Sequence, residues 1–182
     1  MKEIKIYARA GQGAITTATI LGQAAFLKGK YAYAFPHFGA ARMGAPMNAF
    51  VRIDDNPIRL RSQVSEPDYS IIVDSTLMRG LDSIPGLKPD GVAVMDEREA
   101  EKLPKAKGNQ KVYTVPATKI ALEVIGKPLA NTVLLGAFAA ATGLIDLDSL
   151  SNAIKKRFSE KIAQLNIEAI KRGYDYVKEK KK

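Results

Sequence analysis

The side chains of this protein that could do chemistry are few, and the most suggestive of them surround one turn. The stretch IKIYARAGQGAITTATILG, residues 4 to 22, runs from alternating β-branched and aromatic residues through Gly11 and Gly13 into a run of good helix formers. A strand that enters a helix through a glycine turn leaves the first helical N–H groups without backbone partners, beside the positive end of the helix dipole. Such a terminus suits a phosphate or a carboxylate. The candidate contacts are Arg9, Gly11, Gln12, Gly13, Ala14 and Thr16, with Arg42 as a forked donor from the glycine-punctuated loop FGAARMGAP. The dipole supplies ~0.3 to 1 kcal/mol at an exposed site and about 2 when partly buried, so direct N–H bonds must provide the rest. On the residues alone, the turn either receives an anion or packs helix against sheet, and Arg42 serves equally well as an interface or solvated residue.

The remaining chemistry narrows by exclusion. Thr16 stands where the third glycine of G-x-G-x-x-G belongs, and no acid ends the second strand to hold a ribose, which disfavours a nicotinamide dinucleotide. No G-x-x-x-x-G-K-[ST] run is present, so a Walker-type nucleotide site is excluded. Cysteine is absent, which removes disulfides, thiolate zinc sites, cysteine nucleophiles and cysteine-held iron–sulfur clusters from this chain. The single histidine, His37, has no second histidine to work with and reads as structural or superficial. No metal site and no catalytic residue is expected.

Charge gives the partner class. The net charge is +9, and no acidic residue lies between Glu3 and Asp54, while Lys5, Arg9, Lys28, Lys30, Arg42 and Arg52 supply six cations around the turn. One positive region facing acidic partners or phosphorylated ligands is expected. The terminal KEKKK, residues 178 to 182, reads as a frayed helix end. No nucleic-acid motif or clustered stacking aromatics accompany the charge, so nucleic acid is not expected as a partner.

The elements that must hold the turn follow from periodicity. Residues 2 to 8 alternate as a strand, and Ala14 to Lys28 form a helix closed by Gly29. YAYAF (31–35) and MNAFVRI (47–53) are strands, DDNP (54–57) closes a hairpin, and IRLRS (58–62) returns with Arg59 and Arg61 on one face. DYSIIVDS (68–75), GVAVMD (91–96) and KVYTVPA (111–117) read as interior parallel strands, with helical connections near 76–81 and 97–103. From Pro116 onward the chain is helical: ATKIALEVIG, then NTVLLGAFAAATGLI from Asn131, then DLDSLSNAIKKRF, then 159–182. The uncharged, alanine- and glycine-rich second of these implies close helix packing. Strands alternating with helices, then a helical C-terminal third, predict a three-layer α/β/α domain with a mixed, largely parallel sheet. At 182 residues, one domain spanning 1–182 is expected. No apolar run reaches the ~20 residues needed to span a bilayer, and MKEIKIYA is no signal peptide, so a cytoplasmic location without a membrane is the default.

Three ordered blocks, ARAGQGAITTATILGQAA, GKYAYAFPHFGAARMGAPMNAFVRIDDNPIRLRSQVSEPDYSIIVD and NTVLLGAFAAATG, resemble the gamma subunit of the 2-oxoacid:ferredoxin oxidoreductases, the pyruvate and 2-oxoisovalerate enzymes in particular. The resemblance implies one subunit of an enzyme that decarboxylates a 2-oxoacid on thiamine diphosphate, passes electrons through iron–sulfur clusters to ferredoxin, and transfers the acyl group to coenzyme A, or runs in reverse as a pyruvate synthase. It also implies that thiamine diphosphate with its magnesium belongs to alpha and beta partner subunits, and the clusters to a delta subunit and usually beta. The Gly11-Gln12-Gly13 turn matches the family's glycine loop, which implies coenzyme A phosphate contacts there, with no redox chemistry on this chain and no activity when it is isolated. A free-standing anion- or nucleotide-binding protein of the same fold is the competing expectation.

Overall fold

The computed structural model describes residues 1–39, 42–97 and 103–181. Residues 98–102 of the predicted 97–103 helix, part of the FGAARMGAP loop and Lys182 lie outside the described residues. The elements run β1 (Lys2–Arg9), α1 (Ala14–Leu27), β2 (Tyr31–Phe38), β3 (Pro46–Asp54), β4 (Tyr69–Ile72), a 3₁₀ helix (Ser75–Met78), β5 (Val92–Asp96), β6 (Lys111–Val115), α2 (Ala117–Ile125), α3 (Ala130–Thr142), α4 (Leu147–Arg157) and α5 (Glu160–Lys180). The six strands form one sheet in the order β2-β3-β1-β4-β5-β6. β3 pairs antiparallel with both β1 and β2, and β1, β4, β5 and β6 pair parallel in turn. The α/β class, the mixed sheet and the helical C-terminal third are as the sequence predicts.

Strand alternation assigns the two faces. Ile4, Ile6 and Ala8 of β1, with Ile71, Val94 and Val115 of its neighbours, face a core built with α1, α3, α4 and α5. Helix α3 lies within this core and is buried along almost its whole length, which its uncharged sequence permits. Gly136 of α3 and Gly173 of α5 let the backbones of these two helices touch. On the second face, Tyr7, Ile72, Ala93 and Met95 are covered by Met78, Ile84 and Leu87, from the 3₁₀ helix and the irregular chain after it. Burial pushes the Tyr7 phenol well above its usual range, and its hydroxyl donates to the Pro85 carbonyl at 2.7 Å.

Two predicted elements differ. IRLRS is not a strand: both edges of β3 are taken by β1 and β2, so the chain after Asp54 cannot pair back onto β3 and instead crosses the second face as an irregular strap. There Arg61 stacks over the Tyr33 ring at 4.1 Å, and Gln63 lies 3.1 Å from Nδ1 of His37, a structural setting for that histidine. The true hairpin is β2–β3, across the loop that carries Arg42. The helix predicted at 76–81 shrinks to the 3₁₀ turn, ended by Gly80 at φ +77°.

Among the described residues no single helix is long and apolar enough to cross a membrane.

Asp146 caps α4 by accepting the Ser149 N–H at 2.7 Å and pairs at 2.7 Å with Lys28, the C-cap of α1. The Lys28 ammonium and the Ser149 N–H hold its pKa down at about 2. A carboxylate depressed in the folded state contributes stability above its unfolded pKa of ~3.9, and the contribution fades as pH falls toward the folded value. Half the side chain is exposed, so screening keeps the ion-pair share under ~1 kcal/mol. Asp146→Ala is expected to cost ~1 kcal/mol at pH 7, and Asp146→Asn, which retains a cap, less. Thermal unfolding from pH 2 to 7 checks this: the difference between wild type and Asp146→Asn should narrow below about pH 4 and close toward about pH 2.

Candidate anion-binding site

The turn between β1 and α1 has its predicted backbone character. Gly11 and Gly13 both adopt positive φ, +98° and +82°, a region open to glycine at little cost. Gly13 is the N-cap of α1, and among the described residues no side chain caps it; the first intrahelical bond is Thr17 N–H to the Gly13 carbonyl at 2.9 Å. Three other helix starts are closed by acids. Asp96 accepts from both the N–H and the hydroxyl of Thr118 at the start of α2, Asp74 caps the 3₁₀ helix, and Asp146 caps α4. The start of α3 lacks a side-chain cap, as does that of α5.

A cleft of about 290 Å³ opens beside the turn, lined by Gly11, Gln12, Val73, Thr118, Pro128, Leu129 and Ala130. It lies past the C-terminal ends of the parallel neighbours β1 and β4. The chain leaves β1 for α1 on one face of the sheet and leaves β4 for the 3₁₀ helix on the other, so these two strands flank the switch point. Ligands of open α/β sheets gather at this kind of position.

The turn is held from below. Gln12 accepts the Arg9 N–H at 2.8 Å through Oε1 and donates through Nε2 to Asp74 Oδ2 at 2.7 Å. Arg9 sets its Nε 3.3 Å from the same oxygen and donates to Thr76 Oγ1 at 3.0 Å and to the Gly44 carbonyl at 3.2 Å. Asp74, almost fully buried, also accepts from the Thr76 N–H and hydroxyl. Asn131, only 5 % exposed, lies against Gly13: its Nδ2 donates to Thr17 Oγ1 at 3.3 Å, while its Oδ1 has no hydrogen-bond partner among the described residues. A Cβ added at Gly13 would come within 2.7 Å of the Asn131 amide.

Arg9, Gly11, Gln12, Gly13, Ala14 and Thr16 are thus brought to one end of α1, although Arg9 is engaged by Asp74. Arg42 follows in the adjoining loop, whose Gly44 N–H donates to the Ala10 carbonyl at 3.1 Å; its own side chain is exposed and does not line the cleft. The single positive region expected from the acid-free sequence does not form as such. Lys28, Lys30 and Arg52, like Arg9, meet acids from other parts of the chain: Asp146, Asp55 and Glu3 respectively. Asp74, Thr76, Thr118 and Asn131 were not expected at the site. An acid just past a parallel strand was a visible signal for Asp74, and the lone polar pair opening an otherwise apolar helix was one for Asn131.

Comparison with known proteins decides the family. Residues 3–176 match the model of the pyruvate ferredoxin/flavodoxin oxidoreductase family. The chain belongs to that family. It is 49 % identical over 177 residues to pyruvate synthase subunit PorC of Methanothermobacter thermautotrophicus, covering 97 % of this chain and 96 % of the relative. It is 44 % identical over 180 residues to the pyruvate/ketoisovalerate oxidoreductases common subunit gamma of Pyrococcus furiosus, covering 96 % of each. The crystal structure of pyruvate oxidoreductase subunit PORC from Thermotoga maritima superposes with a TM-score of 0.81 at 37 % identity, over 96 % of this chain and 95 % of that one. The likeness runs through the whole fold, so the protein is a gamma-type subunit of a pyruvate or related 2-oxoacid:ferredoxin oxidoreductase, one chain of a larger enzyme.

Proposed function

We propose that this gamma subunit, a single domain over its 182 residues, receives the phosphates of coenzyme A at the start of α1 while oxoacid chemistry proceeds on alpha and beta partner subunits and electron transfer through clusters that include a delta subunit. The carrying observation is the glycine turn that leads into α1: its Gly11 and Gln12 line a cleft at the sheet's switch point, and the α1 start follows directly with Gly13 as its N-cap. Backbone N–H donors at a helix start bind an anion without a dedicated lysine, and Gly11 and Gly13 allow the backbone to approach it. Asn131 Oδ1 beside Gly13, without a partner among the described residues, adds a buried acceptor, suited to the amide N–H groups that coenzyme A carries beyond its pyrophosphate. Arg42 stands in the neighbouring loop as a further cation for the phosphates.

Cofactor and substrate assignments agree with this division. A chain without cysteine offers no thiolates to an iron–sulfur cluster, and thiamine diphosphate, magnesium and the clusters are assigned to the partner subunits. The Pyrococcus relative is named as common to pyruvate and ketoisovalerate oxidoreductases. A gamma subunit shared by two oxoacid specificities fits a role in handling what the two reactions have in common, the acyl acceptor, and in assembly. The isolated chain is accordingly inactive, and within the complex it serves electron delivery to ferredoxin only indirectly.

The test places a competing anion at the site. Thr16 is the third residue of α1 and half-buried, so the carboxylate of Thr16→Asp would lie among the first-turn amides and stabilise the helix by ~0.3 to 1 kcal/mol. In the reconstituted complex, KM for coenzyme A is expected to rise about tenfold, equivalent to ~1.4 kcal/mol, with KM for the oxoacid unchanged. Unaltered KM for coenzyme A in a folded, assembled variant refutes the reading. A free-standing anion-binding protein would instead purify without stoichiometric alpha, beta and delta chains.

A further inference from the structure

We infer that Asp74 is a positioning residue: it fixes the glycine turn through Arg9 and Gln12, and so sets the geometry of the anion site without touching the ligand. The inference rests on the coenzyme A reading of that site for its functional consequence, but its structural half stands on separate observations. Two residues of positive φ within three positions make the turn the most permissive backbone in its neighbourhood. Left to itself, such a turn samples many conformations, and each costs entropy to reverse when a ligand binds.

The protein answers with a latch anchored outside the turn. Asp74 is 2 % exposed. Its Oδ1 is held by the N–H and hydroxyl of Thr76, at 3.0 and 2.6 Å, so the carboxylate cannot rotate freely. Its Oδ2 then faces the Gln12 amide at 2.7 Å and the Arg9 guanidinium at 3.3 Å. Gln12 bridges the turn because its other end accepts from the Arg9 N–H. Arg9 extends the clamp to Thr76 and to the Gly44 carbonyl, tying in the Arg42 loop. The charges are therefore spent on holding the backbone, and the amides of the α1 start are left for the ligand.

The donor and acceptor roles give a sharp test. In Asp74→Asn, the amide oxygen keeps its Thr76 partners and the new NH₂ faces Gln12. Gln12 can meet that donor only by turning its own NH₂ toward the Arg9 N–H, so no orientation of the two amides satisfies both ends. In Gln12→Glu, two carboxylates oppose each other at hydrogen-bond distance. In the double variant Gln12→Glu with Asp74→Asn, the carboxylate introduced at position 12 accepts from both the Arg9 N–H and the new amide, so the Gln12 arm of the latch is restored with its direction reversed, while the Arg9 Nε loses its acceptor at position 74.

Two measurements on the assembled complex follow: amide hydrogen exchange over residues 10–16, and steady-state kinetics with each substrate. Both single variants are expected to exchange at least tenfold faster in this segment and to raise KM for coenzyme A by a similar factor. KM for the oxoacid and kcat at saturating coenzyme A should stay near wild type, and the double variant should recover in part in both measurements, through the Gln12 arm. Faster exchange with unchanged KM for coenzyme A supports the latch and removes the coenzyme A reading. Unchanged exchange in the single variants, or a double variant no better than either, overturns the latch.

Discussion

Gly136→Ala is expected to be among the most damaging single methyl additions in this protein, while Gly22→Ala, the same change in another buried helix, is expected to stabilise it. A Cβ on Gly136 would sit 1.8 Å from the carbonyl oxygen of Ile170 and 2.7 Å from its carbon. Neither atom can move out of the way by changing rotamer, because both belong to the backbone of α5. Gly173 closes the contact from the other side, with its added Cβ 2.1 Å from the Val133 carbonyl oxygen. Helices α3 and α5 would have to part, and α3 is the helix buried within the core. Overpacking typically costs 1–3 kcal/mol, and a clash with rigid backbone belongs at or above the top of that range, so ~3 kcal/mol or more is expected. At ~2 to 4 °C per kcal/mol for a domain of this size, Tm falls by roughly 10 °C. At Gly22, by contrast, the added methyl meets Ala34 Cβ at 3.5 Å, an ordinary contact. The gain there is the helix preference of alanine over glycine, ~0.5 to 1 kcal/mol. Thermal unfolding of the two variants side by side reads both signs, and a Gly136→Ala protein as stable as wild type would contradict the close approach of the two helices.

What could be read before folding was whatever repeats within one element. The alternation of residues 2–8 and 47–53 placed β1 and β3 correctly, and the small-residue run around Gly136 announced close packing. The turn at Gly11 and Gly13 was legible because a strand, two glycines and a helix are contiguous. What failed depended on neighbours far along the chain. IRLRS alternates well enough for a strand, but whether a strand forms there depends on whether β3 has a free edge, and β1 and β2 occupy both. The acid-free stretch suggested a positive surface because charge was read along the sequence. In space, Gln12 and Arg9 meet Asp74 and Thr76 from 62 and 67 positions away, and Arg52 meets Glu3 across 49. The same distance in sequence hid Asn131, which reaches Thr17 across 114 positions.

Arg52 shows how far the charge reading and the fold diverge, and it yields the second large effect. Its side chain is 1 % exposed. Nε donates to Glu3 Oε1 at 2.8 Å, Nη1 donates to the Leu60 carbonyl at 3.2 Å, and the guanidinium lies 5.5 Å from the centre of the Phe35 ring. It thus ties β1, β2 and β3 to the strap that crosses the second face. Removing one member of a buried pair leaves the other uncompensated, at about 3 to 5 kcal/mol; Glu3 keeps a fifth of its side chain in water, which sets the expectation for Arg52→Ala near ~3 kcal/mol. Replacing the whole pair by apolar groups of similar volume is often neutral. Arg52→Met combined with Glu3→Leu should therefore recover stability to within ~1 kcal/mol of wild type, while Arg52→Met alone should not. Amide exchange in residues 57–64 separates the strap from the pair: it should quicken in Arg52→Ala and in the double variant alike, because the Leu60 carbonyl loses its donor in both. Denaturant unfolding that ranks the double variant below Arg52→Ala would show that the ion pair itself, rather than the filled volume and the avoided lone charge, holds this face of the sheet together.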